Sequence, residues 1–220
     1  MKQNDNISVN GLFSVPVYNI SHIDGFYLVQ DEIEKALLKS SFKKKSESFP
    51  STVQHIGHFV NETGFLGNWI SDNKCSHFMQ VLDNAVQDYA NVIGFPQGMP
   101  DPNQKFDYML QSWVNKFDKG SYGDVHTHTS SDISGVYYYQ TTGKDGDFFF
   151  ETPVDQVTCS EAWVQLSGRE IIVPKVGQLM LFPGWIRHGV NENLTDDVRI
   201  SISWNVKFTG PRKVSKGFKK

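Results

Sequence analysis

Three histidines and one arginine carry most of the chemistry this chain can offer. His126 and His128 flank a single threonine, and His188 lies much further on, in Trp185-Ile186-Arg187-His188. Alternate residues of an extended strand point to one face, so His126 and His128 can reach one ion. A third imidazole from a distant strand then closes a facial set of nitrogen donors for a transition metal. Next comes Val198-Arg199-Ile200-Ser201-Ile202-Ser203, in which Arg199 supplies a planar, permanently charged fork suited to a dicarboxylate. Each histidine alone reads more readily as a turn or strand residue than as a ligand. Their joint occurrence with Arg199 and the segment from Gly177 to Pro183 is what points to a metal site.

These side chains need strands to aim them. From Phe106 onward the pattern predicts strands over 106–117, 123–128, 133–140, 146–151, 170–173, 178–182, 188–191 and 199–206. Short strands at this density, separated by Gly, Asp and Pro, predict a sandwich or barrel with helices packed outside it. Within 133–139, Ser134, Val136 and Tyr138 share one face, and Gly135, Tyr137 and Tyr139 share the other. Arg199, Ser201 and Ser203 face together, opposite Ile200 and Ile202. A buried face of that composition needs a ligand, because a buried guanidinium requires an acidic partner. Gly143-Lys144-Asp145-Gly146 reads as a hairpin turn; no helix follows it, so it is no phosphate cradle.

The N-terminal half reads differently. A short strand is predicted over 12–18, then an amphipathic helix over 26–38 with Leu28, Ile33, Leu37 and Leu38 apolar. A loop runs from Lys43-Lys44-Lys45 to Thr52. A second helix over 71–93 carries Phe78, Val81, Leu82, Ala85, Val86, Tyr89 and Val92 at helical spacing and stops at Gly94.

With 220 residues, 39% of them hydrophobic and 13% aromatic, the chain can bury one substantial core. One domain is expected: 1–105 as an N-terminal strand and supporting helices, 106–208 as the β core, 209–220 as a basic, solvated tail. A net charge of -3 and the lack of a broad basic groove argue against nucleic acid as a partner. Cys75 and Cys159 are expected to be reduced thiols, not a disulfide or a thiolate zinc site. No apolar run approaches membrane-spanning length and the polar start lacks a signal-peptide core, so a cytoplasmic protein without membrane contact is expected. His55 and His58 have no evident further ligand and read as loop residues, while His22 and His77 read as helix-flanking or helix-surface residues.

The ordered set Ser112-Trp113-Val114-Asn115, His126-Thr127-His128, Ser134-Gly135-Val136-Tyr137-Tyr138, Gly146-Asp147-Phe148-Phe149-Phe150, Gly177 to Pro183, His188 and Arg199 to Asn205 resembles a 2-oxoglutarate and iron(II)-dependent oxygenase. It is most similar to an uncharacterised branch of that superfamily, distantly related to the prolyl hydroxylases. The resemblance is good from Trp113 to Asn205 and weak before it. It implies a mainly β fold with flanking α-helices, whose core is a double-stranded β-helix, the jelly-roll of cupin-like proteins, with the metal inside its open end. It further implies His126 and His188 as iron(II) ligands and Arg199 as the grip on the far carboxylate of 2-oxoglutarate. Ser201 and Tyr138 assist that grip, and Asn115 and Trp113 line the cosubstrate pocket. The reaction implied is decarboxylation of 2-oxoglutarate to succinate, with dioxygen, coupled to hydroxylation of a second substrate. A small molecule, an amino acid or a peptide is expected there. The edges of such a barrel can pair with a second copy, which makes a homo-oligomer one expectation.

This chain departs from the family in one respect. The superfamily's His-x-Asp or His-x-Glu is replaced by His126-x-His128, and loss of the carboxylate removes a negative charge from the metal. Three outcomes are open: a three-histidine site, a site with one open position as in related halogenases, or recruitment of Asp124 or Asp132. The three-histidine site is the expectation. Tyr137, Tyr139 and Trp185 are near the site in sequence and are either wall residues or substrate contacts. Two rivals stand beside the oxygenase: a cupin-like module that binds a sugar or small acid without redox chemistry, and a three-histidine zinc site for hydrolysis. The first leaves the histidines without a role and the second lacks a well-placed general base.

Overall fold

Alternating side chains build two antiparallel sheets that share one interior. The computed structural model describes residues 14–44, 59–61, 67–95, 105–153, 161 and 168–212. In chain order the elements are β1 (Tyr18–Ile20), α1 (Phe26–Leu37), β2 (Phe42–Lys44), β3 (Phe59–Asn61), α2 (Trp69–Asp72), α3 (Ser76–Val92), β4 (Phe106–Phe117), β5 (Gly123–His126), β6 (Ile133–Gln140), β7 (Phe148–Glu151), β8 (Arg169–Ile172), β9 (Leu179–Pro183), β10 (His188–Val190) and β11 (Arg199–Pro211). The major sheet runs β1-β9-β6-β11-β4-β3-β2 and the minor sheet β5-β10-β7-β8. This is the jelly-roll, double-stranded β-helix architecture, mainly β with flanking helices.

Period-two alternation gives the major sheet an apolar outer face and an inner face that is part apolar, part polar, with different partners. Val114, Tyr137, Leu179, Leu181, Ile202, Trp204 and Val206 face the helices and pack with Val29, Ile33, Ile70, Phe78, Leu82 and Val86. Val136, Tyr138, Met180 and Phe182 face inward and meet Phe148, Phe150 and Ile186 from the minor-sheet side. Trp204 lies over Gly135, its partner across the β11–β6 ladder. A Cβ at Gly135 would stand 2.5 Å from the indole, so only glycine leaves room there.

Glu32 of α1 ties the helical layer together at the start of α3. Its carboxylate accepts from the backbone N–H groups of His77 and Phe78 and from the Ser76 hydroxyl, and it contacts His77 Nδ1 at 2.7 Å. Those donors are left unpaired at any helix N-terminus, and the helix dipole there favours a negative charge.

Several sequence expectations shift. β1 lies at 18–20 rather than 12–18; residues 14–17 are not strand, and 12 and 13 lie outside the described residues. In α1 the buried stripe is Val29, Ile33 and Ala36, whereas Leu28 and Leu38 are exposed; the hydrophobic periodicity holds but its phase is set one residue on. The helix expected over 71–93 is two helices, because Lys74 takes a left-handed backbone (φ 57) that ends α2 before α3 begins. Lys43 and Lys44 belong to strand β2, paired with β3, not to a loop. The later strands begin or end within a few residues of expectation, except that β11 continues to Pro211 and β5 stops at His126. Cys75 is buried and free, with its thiol pushed up to about 11 by burial and by Glu32 nearby. Cys159, His55, His58 and the tail beyond Arg212 lie outside the described residues. Among the described residues no helix is long and apolar enough to cross a membrane.

Candidate active site

The inward face of the major sheet is a ladder of polar side chains. β11 runs between β6 and β4, and its register sets Arg199 against Phe117, Ser201 against both Tyr138 and Asn115, Ser203 against Val136 and Trp113, and Asn205 against Ser134. Tyr138, Val136 and Ser134 meet β11 in one unbroken register, and a β-bulge lies just beyond it, between Ile200 and Ser201. All of these residues except Asn205 line one cavity, together with His126, His128, His188, Phe148 and Phe182. The cavity therefore holds a charged end and an imidazole end within the same walls.

At the charged end Arg199 is 1% exposed. Its Nη1 donates to the Gly146 carbonyl at 2.6 Å, and its guanidinium lies 4.1 Å from the centre of the Phe117 ring. Its Nε has no hydrogen-bond partner among the described residues, and neither has the buried Tyr138 hydroxyl. Asp145, also fully buried, is taken up by Thr141 Oγ1 and the Thr142 N–H, both at 2.7 Å, and so forms no ion pair with Arg199. Burial pulls the Arg199 guanidinium below its ordinary pKa, with Tyr138, Asp145 and Asp147 pulling the other way. Burial raises the Tyr138 phenol well above its ordinary value, so it stays protonated and can donate. A guanidinium Nε–H and a phenol hydroxyl that have no partner among the described residues, at one end of the cavity, fit an anionic carboxylate that can accept from both.

At the other end His126 and His188 are direct partners across β5 and β10. Their ring centroids are 4.4 Å apart, and those of His128 lie 4.9 Å from His126 and 5.2 Å from His188. One ligand atom from each of the three falls within 4.8 Å of the others, and neither Asp124 nor Asp132 joins the group. Asp132 is held instead by Lys207 Nζ and the Phe208 N–H, both at 2.8 Å. Asp124 contributes only its carbonyl, 2.7 Å from His126 Nδ1. His188 Nδ1 sits 2.9 Å from the Ile186 carbonyl, and the ring stacks on Phe148. A set of three convergent imidazole nitrogens fits a divalent transition metal.

Strand alternation brings His126 to the site but does not bring His128. β5 ends at His126, and His128 lies in the following turn, where its N–H donates to the Gly184 carbonyl at 2.6 Å. That bond seats the His128 turn on the one that follows β9, and Gly184 fits there because a side chain would overlap the Ser131 carbonyl. Sequence reasoning also left several residues unassigned. Phe117 stacks on Arg199 and Phe148 on His188; a one-strand phase argument could have put Phe117 on the pocket face. Asn205 Nδ2 lies 3.3 Å from His128 Nδ1, and Asn205 Oδ1 accepts from Ser134 Oγ at 2.7 Å. Trp113 Nε1 donates to Asn115 Oδ1 (3.0 Å), whose amide donates to Ser203 (2.9 Å). Tyr137 and Tyr139 belong to the helix-facing core, Tyr137 with its ring 5.0 Å from Phe78, and so are not substrate contacts; Trp185 is exposed on the turn before His188.

Comparison with known proteins agrees with this architecture. Residues 111–205 match a family model described as "Putative 2OG-Fe(II) oxygenase". Among curated proteins none matches the chain in sequence. Among solved structures the fold is similar to a Pseudomonas putida prolyl-4-hydroxylase, with 12% identity and a TM-score of 0.59 over 90% of this chain and 95% of that one. It is similar too to a Trichoplax adhaerens prolyl hydroxylase in complex with a hypoxia inducible factor oxygen degradation domain peptide fragment (13%, 0.56, 86% and 82%). A third is HygX from Streptomyces hygroscopicus with nickel, 2-oxoglutarate and hygromycin B bound (11%, 0.53, 87% and 82%). The family match lies on the strands that build the cavity, so residues 111–205 are similar in sequence to the 2-oxoglutarate and iron(II)-dependent oxygenases, and the fold around them is the one these solved structures share.

Proposed function

We propose that the chain oxidises a peptide or small molecule, hydroxylation being the favoured outcome, with conversion of 2-oxoglutarate to succinate, and that His126, His128 and His188 hold the iron. The observation that carries this reading is Arg199: a buried guanidinium without an ion-pair partner among the described residues, in the same cavity as three convergent imidazoles. Bound iron(II) with 2-oxoglutarate supplies activation of dioxygen, with loss of carbon dioxide from the 2-oxo acid. The protein's own residues bind, orient and exclude water. Arg199 and Tyr138 donate to the far carboxylate of 2-oxoglutarate, and Ser201, in the same rung as Tyr138, adds a hydroxyl. Asn115 and Trp113, locked to each other and to Ser203, form the wall beside it. Phe148 and Phe182 pack on the buried His188 ring and give it an apolar wall.

The similarity to a prolyl hydroxylase carrying a peptide and to HygX carrying hygromycin B supports both substrate classes equally. A cytoplasmic protein acting without membrane or nucleic acid remains the reading from sequence. The test is anaerobic titration of the metal-free protein with iron(II) and 2-oxoglutarate, following the weak visible charge-transfer band of the ternary complex. A band present in wild type and lost in both His126→Ala and Arg199→Ala is expected. If wild type shows no band where a known family member does, the oxygenase reading fails and a binding module takes its place.

A further inference from the structure

The three imidazoles differ in what holds their second nitrogen. His126 Nδ1 lies 2.7 Å from the Asp124 carbonyl and His188 Nδ1 lies 2.9 Å from the Ile186 carbonyl. A carbonyl only accepts, so a neutral ring making either contact has its proton on Nδ1 and its lone pair on Nε2, the nitrogen that can ligate an ion. His128 Nδ1 faces the side-chain amide of Asn205 instead, at 3.3 Å, and an amide can either donate or accept. If Asn205 donates, Nδ1 is bare, the neutral ring carries its proton on Nε2, and that nitrogen has no lone pair for a metal. If Asn205 turns its oxygen to His128, Nδ1 keeps its proton and Nε2 becomes a ligand like the other two.

A half-turn of the amide exchanges these two states without changing its shape. The partner on its other side permits both. Ser134, 1% exposed and opposite Asn205 in the β6–β11 ladder, has a hydroxyl that donates to the amide oxygen at 2.7 Å in one state and accepts from the amide nitrogen in the other. Trp113 packs against the His128 ring with centroids 6.0 Å apart, which restricts how far that ring can turn to evade the choice.

We propose that Asn205, backed by Ser134, is a positioning residue for the metal centre: in the metal-bound state its Oδ1 accepts from His128 Nδ1–H and thereby frees His128 Nε2 for the ion. The inference rests on the three histidines being the metal ligands. It also accounts for a buried Asn and a buried Ser at the imidazole end of a sheet face whose other polar residues serve the cosubstrate.

Histidine nitrogen NMR on protein carrying nitrogen-15 in its histidines, loaded with zinc as a diamagnetic probe, reads the tautomer directly. The expected spectrum shows all three rings protonated at Nδ1 and metal-bound at Nε2. Zinc titration should then show Asn205→Leu, which keeps the volume, binding about 10- to 100-fold more weakly, and Asn205→Asp, which keeps an acceptor, binding within a few-fold of wild type. Zinc binding with no proton on His128 Nδ1, or an Asn205→Leu variant as tight as wild type, overturns the proposal. Should Asn205→Leu not fold, the wild-type spectrum decides alone. A wild-type protein that takes up neither zinc nor iron(II) overturns the metal-centre reading, and this inference with it.

Discussion

If Arg199 grips the cosubstrate as proposed, its burial should cost stability in the free protein. Taking a guanidinium out of water costs several kcal/mol, and a partner that arrives only with the ligand cannot offset this in the free protein. Arg199→Met keeps most of the volume and the contact with Phe117 while removing the charge. Its unfolding free energy in the absence of ligands should fall by less than about 1 kcal/mol, or rise. Its dissociation constant for 2-oxoglutarate should be weakened about 100-fold or more, through loss of charge-assisted bonds. Chemical denaturation and calorimetric titration separate the two effects, and a large loss of stability with intact 2-oxoglutarate binding would assign Arg199 to the scaffold. The identity of this residue was legible in sequence because Arg, Ser and Ser recur at the strand period. Its solitude was not, since Asp145 and Asp147 are near enough in the chain to have paired with it.

At the scale of elements, the turn between β9 and β10 sets the imidazole end of the cavity. Gly184 accepts from the His128 N–H, and a Cβ there would overlap the Ser131 carbonyl and stand 2.8 Å from that of His128. Backbone cannot give way cheaply, so Gly184→Ala should move the His128 turn off its seat. Stability should fall by about 1–3 kcal/mol, and metal affinity should fall with it. Gly135→Ala, which collides with Trp204 on the far side of the same sheet, should cost a similar amount of stability yet leave metal affinity nearly unchanged. Thermal unfolding together with metal titration of the two variants tests this contrast; equal loss of metal affinity in both would mean that the effect is not specific to the turn. The periodicity located both histidine segments. It also extended β5 two residues too far, because a strand's end is set by where its partner stops pairing, which the local pattern does not encode.

Across the whole molecule the helical layer that backs the major sheet is held together in part by Glu32, which ties α1 to the start of α3. Burial alone would raise its pKa, but hydrogen bonds from the His77 and Phe78 backbone, the His77 ring and Ser76 outweigh that and hold it below its ordinary 4.5. A carboxylate lowered in the fold contributes stability that is fully present above its unfolded value and lost as pH falls through its folded value. Glu32→Gln should therefore cost about 1 kcal/mol near neutral pH, in the range of a lost helix cap. It should also flatten the decline of stability below about pH 4.5. Denaturation series from neutral to acidic pH would show it; parallel curves for variant and wild type would assign the acid sensitivity elsewhere. Ligands act on the same scale through mass action. Metal and 2-oxoglutarate, each at about 100 times its dissociation constant, should each raise the unfolding free energy by about 2.7 kcal/mol. Arg199→Met should keep the first increment and lose the second.

The sequence by itself determined the strand-rich second half, the facing of Arg199, Ser201 and Ser203, and the residue types of the metal and carboxylate ends. All of these follow from a period of two and from chemistry written in single side chains. The tertiary structure alone decided that His128 reaches its partners through a backbone bond to Gly184, that Tyr137 and Tyr139 turn to the helices, and that the nearby Asp145 is taken up by Thr141 and Thr142 rather than by Arg199. It alone placed Asn205 against His128. Those outcomes depend on which strands become neighbours and in what register, and long-range pairing has no local signature in the chain.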